Sequence, residues 1–407
     1  MPEAAVPEHR AVTEPNAPVE AAIRRAIAER GPISFAEFMD LALYGPGGFY
    51  DRPPVGEGGH FVTSPHVHPV FGALMGRALR ALWQAIDRPT PFRIVEVGAG
   101  DGTLAKQLRR ALAEIPKDYV AVERSAGGRR ALRALDPPMR VLAGLEAMDQ
   151  HLHGCIVANE LLDNLPFRWA RRDHSGEVFE RLVHVWDGRF ELVDGPFDGT
   201  DDEIRGGLPD LAPGMEGPIP EGSLHLVDRL ARLLRHGYAL LVDYAAGPDA
   251  DIHGYRDQRV VEDVLEAPGT ADITAGVDFA VLGARARALG LQSFSPVTQR
   301  SALLALGYAE WQTEEHRRQA DAQDRRSGRE AVMAWSGRNA AAMLTDPAGL
   351  GRLRWWLVSS DGLEAPQWFR KAARLDVEGT LVAGETADGT IGYVDIPHRR
   401  WARRRRC

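Results

Sequence analysis

Three glycines follow a short apolar run in the stretch RIVEVGAGDGTLAKQL, residues 93–108, and a helical pattern comes after them. A glycine-rich turn between a strand and a helix lets the backbone approach a ligand closely. Pyrophosphate-binding loops have the spacing G-x-G-x-x-G, whereas Gly98, Gly100 and Gly102 have the spacing G-x-G-x-G. The loop therefore predicts a ligand site that differs from the usual dinucleotide site.

Acidic side chains in and before this loop narrow the choice of ligand. Glu96 stands two residues before the first glycine, and Asp101 lies between the second and the third. Carboxylates would repel a pyrophosphate at the N-terminus of the following helix, and they would favour a cation. S-adenosylmethionine carries a sulfonium and an ammonium group and no phosphate. We therefore expect this cofactor rather than NAD.

Polar residues at the ends of the next strands extend the predicted site. Glu123 ends the strand in VAVERS, where a carboxylate can accept hydrogen bonds from the ribose hydroxyls of either cofactor. Asn159 and Glu160 in VANELLDNLP end the fourth strand, beside the edge where open α/β sheets bind ligands. A purely structural glycine turn is the alternative, but polar side chains at successive strand ends favour a cofactor site. The predicted cofactor-binding residues are Glu96, Gly98, Ala99, Gly100, Asp101, Gly102, Glu123, Asn159 and Thr63.

The elements that must position these residues alternate along the chain. The patterns FRIVEVG, DYVAVERS, MRVLAG, GCIVAN and YALLVDY predict strands, and helical spacing separates several of them. This alternation predicts an α/β fold with a doubly wound parallel sheet. Residues 167–194 instead alternate with period two between turn signals, which predicts an antiparallel β insertion. LQSFSPVTQ and RLRWWLVSS predict further strands, residues 195–222 predict a loop, and the pattern fades beyond 362.

The sequence divides into segments of different character. We predict a disordered leader, an N-terminal helical and glycine-rich lid segment, a core with two insertions, and a C-terminal extension with an arginine-rich tail. The leader covers residues 1–17, and the lid segment covers 18–92. The core covers 93–361 with its insertions at 165–222 and 245–275, and the C-terminal extension covers 362–407.

Composition excludes several classes of protein. Hydrophobic residues make up 44% and charged residues 26%, as in soluble globular proteins. The net charge of −8 argues against broad nucleic-acid binding, and no apolar run is long enough to span a membrane. Cys155 and Cys407 are the only cysteines, which argues against a disulfide framework. The leader has no targeting pattern, so we expect a cytoplasmic protein.

Several segments, taken in order over roughly residues 30–310, resemble one family. They are YGPGGFY, GGHFVTSP, VFG, VEVGAGDGTLA, NELLDNLPF, LLVDY, GTADITAGVDF and LLALG. The chain is similar to the MidA-like S-adenosylmethionine-dependent methyltransferases, whose mitochondrial members assist assembly of respiratory complex I. The resemblance implies a class I, Rossmann-like methyltransferase core and S-adenosylmethionine as cofactor. It also implies a protein arginine acceptor and a symmetrically dimethylated product, as in the mitochondrial members.

The chain departs from the family pattern beside the glycine loop. His60 and His66 stand where acidic residues are usual, His68 replaces a small polar residue, and Gly276 replaces a histidine. No cysteine or suitably spaced carboxylate completes a ligand set with the three histidines, so no metal site is predicted. The departures leave two alternatives open: a small-molecule methyltransferase, or a non-catalytic assembly factor that binds the cofactor. The oligomeric state is not predicted.

Carboxylates are the candidate catalytic groups if the acceptor is arginine. Arginine stays protonated, so a carboxylate must orient the guanidinium and take up a proton during transfer. Glu160 and Asp163 lie three residues apart, on one face of a short helix if that helix forms, and Asp272 and Asp278 form a second pair. Asp163 and Asp278 could instead cap or begin helices, and Asp243 is expected to have a structural role.

Overall fold

The computed structural model describes residues 16–51, 62–148, 151–197, 211–246, 252–256, 259–325 and 327–382. Nearly all of the predicted leader, together with His60, Cys407 and the arginine-rich tail, lies outside these described residues. The division of the chain into segments stays a prediction.

Helices cover much of the described chain, and side-chain caps begin several of them. Ser34 Oγ accepts a hydrogen bond from the Glu37 amide at 3.1 Å and so caps the second helix. The helices are α1 Ala17–Arg30, α2 Phe35–Tyr44, α3 Ser64–Val67, α4 Val70–Ala85, α5 Thr103–Ala111, α6 Ala126–Arg133, α7 Glu221–Leu233, α8 Phe279–Ala288, α9 Gln299–Ala305, α10 Tyr308–Asp324, α11 Gly328–Ala342 and α12 Gln367–Val382.

The strands form three sheets within the described residues. They are β1 Ile33–Ser34, β2 Phe92–Val97, β3 Lys117–Val122, β4 Arg140–Leu142, β5 Leu152–Asn159, β6 Arg168–Arg172, β7 Val178–Trp186, β8 Arg189–Pro196, β9 Glu216–Ile219, β10 Leu234–Asp243, β11 Ile252–Arg256, β12 Arg259–Val261, β13 Asp272–Ala275, β14 Gln292–Ser293, β15 Val297–Thr298 and β16 Arg354–Ser359.

The central sheet has the order β14, β16, β10, β5, β2, β3, β4, and β15 also pairs with β16. The strands from β10 to β4 pair in parallel, and β16 pairs antiparallel to β10. The chain runs outward from β2 to β4 and then returns to β5 on the other side of β2. This doubly wound arrangement confirms the predicted fold, and it places the switch point between β2 and β5.

Apolar side chains cover both faces of this sheet, as the uninterrupted apolar runs predict. Trp355 and Trp356 are neighbours on β16 and are both fully buried, one in each of two separate apolar clusters. Helices α4, α5 and α12 pack on the Trp355 side, and α7 and α8 pack on the Trp356 side. None of the described helices is long and apolar enough to traverse a lipid bilayer.

The predicted antiparallel insertion is confirmed in β6, β7 and β8. Two of its neighbours were not predicted: β1 pairs with β7, and β9 pairs with β6 inside the stretch that was expected to be loop. Both strands are very short, and glycine and proline surround β9, so neither gives a period-two pattern of its own. The N-terminal segment is therefore joined to the insertion by backbone pairing.

One further expectation was wrong, and one helix was not predicted. LQSFSPVTQ forms two separate two-residue strands, β14 and β15, rather than one strand. Helix α12 lies in the region where the pattern fades, and its Trp368, Phe369 and Ala372 are buried against the central core. These three residues have the i, i+1, i+4 spacing of one helix face, so the sequence did contain the signal.

Candidate active site

A cavity of about 540 Å³ opens at the carboxyl ends of β2, β3 and β5, which is the switch point of the sheet. Every predicted cofactor-binding residue except Gly102 lines it. Of the predicted catalytic carboxylates, only Glu160 does so. Pockets of this size accommodate cofactors and drug-sized molecules.

The three glycines of the loop serve different purposes, although all have positive φ. A Cβ on Gly98 would lie 2.8 Å from the Leu161 side chain, and one on Gly102 would lie 2.5 Å from Leu135. These two glycines allow close packing of the loop and of α5. A Cβ on Gly100 would meet no atom within 4 Å, because this residue faces the open cavity.

Glu96 and Glu123 are buried carboxylates beside the glycine loop in the cavity wall. Glu123 accepts hydrogen bonds from the Gly100 amide at 2.9 Å and the Ser125 amide at 2.7 Å. Tyr119 donates its hydroxyl proton to Glu96 at 2.5 Å. Burial nevertheless raises the pKa of Glu96 to about 8, with Asp101 and Glu123 adding to the shift. A cation in the cavity would favour the ionised form of Glu96.

His66 connects the segment before α4 to the glycine loop. Its Nδ1 lies 2.8 Å from Thr63 Oγ1, and its Nε2 lies 3.2 Å from Asp101 Oδ2. Asp101 also accepts hydrogen bonds from the amide and hydroxyl of Thr103 at the start of α5. Burial opposes ionisation of Asp101, but the hydrogen bonds from His66 and Thr103 outweigh it and lower the pKa to about 2. Asp101 is therefore an ionised group that holds the loop and the His66 segment together.

Glu160 has a strained backbone at the cavity wall, with a φ of 53°. A non-glycine residue in the left-handed region is uncommon and marks a site that the surrounding structure must enforce. Its Oε1 accepts hydrogen bonds from the Ser64 amide at 2.9 Å and from Asn159 Nδ2 at 3.0 Å. Burial raises the pKa of Glu160 to about 7, although these hydrogen bonds oppose the shift. The carboxyl thus titrates near neutral pH.

Asp163 and Asp272 form a buried layer behind Glu160 rather than part of the cavity wall. Asp163 lies on a 3-10 turn, Leu162–Asn164, and accepts a hydrogen bond from Thr274 Oγ1 at 2.9 Å. Asp272 accepts from Asn164 Nδ2 at 2.9 Å and from the Tyr50 hydroxyl at 2.9 Å. Burial raises the pKa of Asp163 to about 6 and that of Asp272 to about 8.

Asp278 is separate from this group. Its carboxylate caps α8 by accepting hydrogen bonds from the Ala280 and Val281 amides at 2.9 and 3.1 Å, and it is exposed. This is the capping alternative considered from the sequence, and a catalytic role for Asp278 stays a prediction.

His68, another of the three histidines near the glycine loop, contacts groups outside that loop. His68 Nδ1 lies 3.1 Å from the amide of Val70, and its ring packs against Trp311. Within the described ranges, which omit His60, no three His, Cys, Asp or Glu side chains are grouped so that they could hold a metal ion.

Sequence reasoning missed two tyrosines and two arginines of the cavity. Tyr44 and Tyr50 stack with their ring centroids 5.4 Å apart and line the wall near Asp272. Arg124 lies over the Tyr44 ring and forms an ion pair with Asp40 at 2.5 Å. The tyrosines belong to YGPGGFY, a family segment, which was the available signal. Arg229 comes from α7 and donates to the carbonyls of Leu145 and Met148 at 2.8 and 2.7 Å.

The geometry agrees with the comparisons with known proteins. Residues 74–297 match the model of a family described as "S-adenosyl-L-methionine-dependent methyltransferase". The chain belongs to this family. It is a methyltransferase whose cofactor is S-adenosylmethionine, which confirms the expectation from the sequence.

The methyltransferase is similar to several characterised proteins and to a protein of known crystal structure. The human protein arginine methyltransferase NDUFAF7, mitochondrial, is 29% identical over 328 residues, which cover 69% of this chain and 71% of the human one. Its Drosophila melanogaster homolog is 27% identical over 368 residues, covering 81% and 82%. A Burkholderia thailandensis protein crystallised with S-adenosyl-homocysteine is 26% identical with a TM-score of 0.75, covering 91% of this chain and 98% of that one.

Proposed function

We propose that this methyltransferase transfers a methyl group to the guanidinium of a protein arginine, with Glu160 as the carboxylate that orients the acceptor. The observation that carries the proposal is the strained Glu160 at the wall of a cavity rich in carboxylates. The names of the human and Drosophila relatives, both protein arginine methyltransferases, support the same acceptor.

The charge of the cavity favours a cationic acceptor. Glu96, Asp101, Glu123 and Glu160 line it, and Asp163 and Asp272 lie directly behind. The lining arginines, Arg124 and Arg229, have partners of their own: the ion pair with Asp40 and two backbone carbonyls. Carboxylates in pairs recognise a guanidinium well, because its planar donors match two carboxylate oxygens.

Two local features fit the cofactor. Asn159 Oδ1 is buried in the cavity wall with no hydrogen-bond partner among the described residues, so it can accept from an ammonium group. The open space at Gly100 leaves room for a ligand against the backbone. We propose that Glu96, Asn159 and the glycine loop hold the amino-acid end of the cofactor, and that Glu123 binds the ribose hydroxyls.

The protein's contribution to the reaction is position and proton transfer. When bound, the cofactor supplies an activated methyl carbon. Glu160 accepts hydrogen bonds from the guanidinium and takes the proton that leaves it. Tyr44 and Tyr50 exclude water from one side of the acceptor with their stacked rings.

Labelling with tritiated cofactor tests the acceptor class. Purified protein is incubated with native cell extract, and labelled bands are hydrolysed and chromatographed against methylarginine standards. We expect label in methylarginine and a loss on the order of 100-fold or more for Glu160→Gln. Asp173→Asn is the matched control, because Asp173 forms an exposed turn of the β insertion and does not line the cavity. Label confined to small molecules would support a small-molecule methyltransferase, and cofactor binding without label would support an assembly factor.

A further inference from the structure

Asp243 ends β10 and is fully buried outside the cavity lining. Its carboxylate accepts three backbone hydrogen bonds. Oδ2 accepts from the amides of Leu161 at 2.9 Å and Leu162 at 2.6 Å, and Oδ1 accepts from the amide of Tyr244 at 2.8 Å. A buried carboxyl group that accepts from three amides fixes the backbone around it, because each of those amides would otherwise lack a hydrogen-bond partner.

The first two of these amides follow Glu160 directly in the chain. The Glu160 amide itself donates to the Val242 carbonyl at 2.7 Å. The backbone on both sides of Glu160 is therefore fixed by the last two residues of β10. A left-handed φ at a non-glycine residue costs free energy, so it persists only where neighbouring contacts over-determine it. Val242 and Asp243 provide those contacts.

We propose that Asp243 is a positioning residue that holds the Glu160 carboxylate at the cavity wall by anchoring the amides of Leu161 and Leu162. The inference rests on the proposed function of Glu160, and it goes further by assigning the cause of its conformation to β10. The 3-10 turn that carries Asp163 begins at Leu162, so the same anchor also sets the buried layer behind Glu160.

The neighbouring Asp163 determines which substitution of Asp243 is suitable for a test. Its carboxyl lies within hydrogen-bonding reach of Asp243, and its Oδ1 has no other partner among the described residues. An asparagine in place of Asp243 would keep the shape of the side chain and could donate to Asp163. The asparagine would offer only one acceptor oxygen, whereas the three amides now bond to two carboxyl oxygens. Asp243→Asn therefore weakens the anchor without opening a cavity.

The experiment compares Asp243→Asn with wild type in three measurements: kcat, the affinity for S-adenosyl-homocysteine, and thermal stability. We expect kcat to fall on the order of 10- to 100-fold, since small displacements of a reacting group have effects of that size. We expect the Kd of S-adenosyl-homocysteine to stay within about threefold, because Asp243 does not line the cavity. Asp376→Asn is the matched control: Asp376 also accepts a backbone amide, that of Thr298 at 2.8 Å, outside the cavity lining, and this variant should keep wild-type kcat.

A double-mutant cycle separates positioning from general stability. If Asp243 acts through Glu160, Asp243→Asn should lower kcat little further in a Glu160→Gln background. A full additional loss in that background, or a wild-type kcat in the single variant, would overturn the inference. If Glu160→Gln alone kept full activity, the proposed function of Glu160 would fail instead, so the two failures are distinguishable.

A second, independent feature is a basic groove at the opposite edge of the sheet, where β3 begins. The chain has three lysines in all, and two of them, Lys106 and Lys117, line this groove. Arg109, Arg110 and Arg140 line it as well. The acidic residues of the groove are Asp118 and Asp136, and Asp118 is paired with Arg93 at 2.8 Å.

Several of these cations lack partners. In the described part of the chain, the side chains of Lys106, Arg110 and Arg140 form no ion pair or hydrogen bond. Burial lowers the pKa of Lys117, and the nearby Arg109 lowers it further, although Glu114 opposes the shift. The five cations of the groove outnumber its two acidic residues, and such an excess of positive charge attracts an anion.

We infer that this groove binds an acidic peptide segment of a partner protein. Pro137, Pro138 and Met139 lie between the cations and offer apolar contact to a peptide. The acidic balance of the whole chain disfavours a nucleic acid, whose binding needs a more extended positive field.

Fluorescence anisotropy with a labelled glutamate-rich peptide of about 12 residues tests this site. We expect binding that weakens with salt and that falls about tenfold or more in the triple variant Lys106→Glu, Arg110→Glu, Arg140→Glu, since each exposed ion pair contributes a factor of roughly two to three. The matched control reverses three exposed arginines elsewhere, Arg235, Arg287 and Arg329, and should leave the affinity unchanged. Equal losses in both triple variants, no binding at millimolar peptide, or tighter binding of an oligonucleotide of equal charge would overturn the inference.

Discussion

Substitution of Gly100 by valine tests whether the glycine loop holds the cofactor. Gly100 has a φ of 54°, and a Cβ there would meet no protein atom within 4 Å. The cost to the fold is therefore the strain of a left-handed residue, about 1–2 kcal/mol, and not a clash. The valine side chain would occupy the part of the cavity next to the backbone of the loop. We expect the Kd of S-adenosylmethionine to rise at least 100-fold, which corresponds to about 2.7 kcal/mol.

Isothermal titration calorimetry with S-adenosylmethionine and with S-adenosyl-homocysteine measures the affinity. Thermal unfolding measures the loss of stability that the backbone strain causes. Gly176→Val is the matched control, because Gly176 also has a positive φ, 92°, and open space around its Cβ, but it lies in a turn of the β insertion. Both variants should lose similar stability, and only Gly100→Val should lose binding. Wild-type affinity in Gly100→Val, or equal losses of affinity in both, would refute the assignment of the loop.

Three further predictions follow from the buried carboxylates. The pKa values of Glu96, Glu160 and Asp272 are raised to about 8, 7 and 8, so between about pH 4.5 and 8 the folded chain keeps protons that the unfolded chain has released. The free energy of unfolding should therefore fall as the pH rises through this range. Glu96→Gln should make this fall less steep in thermal unfolding measured at several pH values. The rate constant kcat/KM should rise with pH through about 7 as Glu160 ionises, and a pH profile of Glu160→Gln that kept this rise would contradict the assignment. Glu160→Gly and Glu160→Ala both lose the hydrogen bonds to the Ser64 amide and to Asn159, and both should abolish turnover. Because only the glycine relieves the left-handed strain, Glu160→Gly should be more stable than Glu160→Ala by about 1–2 kcal/mol in denaturant titration. Equal stabilities of the two variants would show that the backbone at position 160 is not strained.

The half of the cavity around the glycine loop was predictable from the sequence because its parts follow strands of the central sheet. Gly98, Gly100, Glu123 and Asn159 stand at strand ends, and parallel strands bring those ends to one edge. Local patterns were enough to find these residues. The glycine spacing did not reveal that Gly98 and Gly102 serve packing while Gly100 faces the cavity, since that difference depends on Leu161 and Leu135.

The acidic layer could be found only in part. Asp163 and Asp272 were candidates for direct catalysis, but the short 3-10 turn directs Asp163 toward Thr274, and Tyr50 and Asn164 surround Asp272. These contacts join residues more than 100 positions apart, and no periodic pattern records them. Asp243 was expected to be structural because it ends a plain apolar strand, and its hydrogen bonds to the amides after Glu160 become visible only when β10 lies beside β5.

The two halves of the cavity are built from different parts of the chain, and this bears on how the acceptor is chosen. The half around the glycine loop comes from β2, β3 and β5 of the central sheet. The other half depends on segments added to that sheet: Tyr44 and Tyr50 come from the N-terminal segment, and Asp272 begins β13 of the second insertion. Apart from the contact between His66 and Asp101, the added segments can therefore vary in sequence without disturbing the glycine loop. His66 lies where these halves meet and is bonded to Asp101 of the loop, so a histidine in place of an acidic residue changes this boundary, while Glu96, Glu123 and Glu160 remain in the lining.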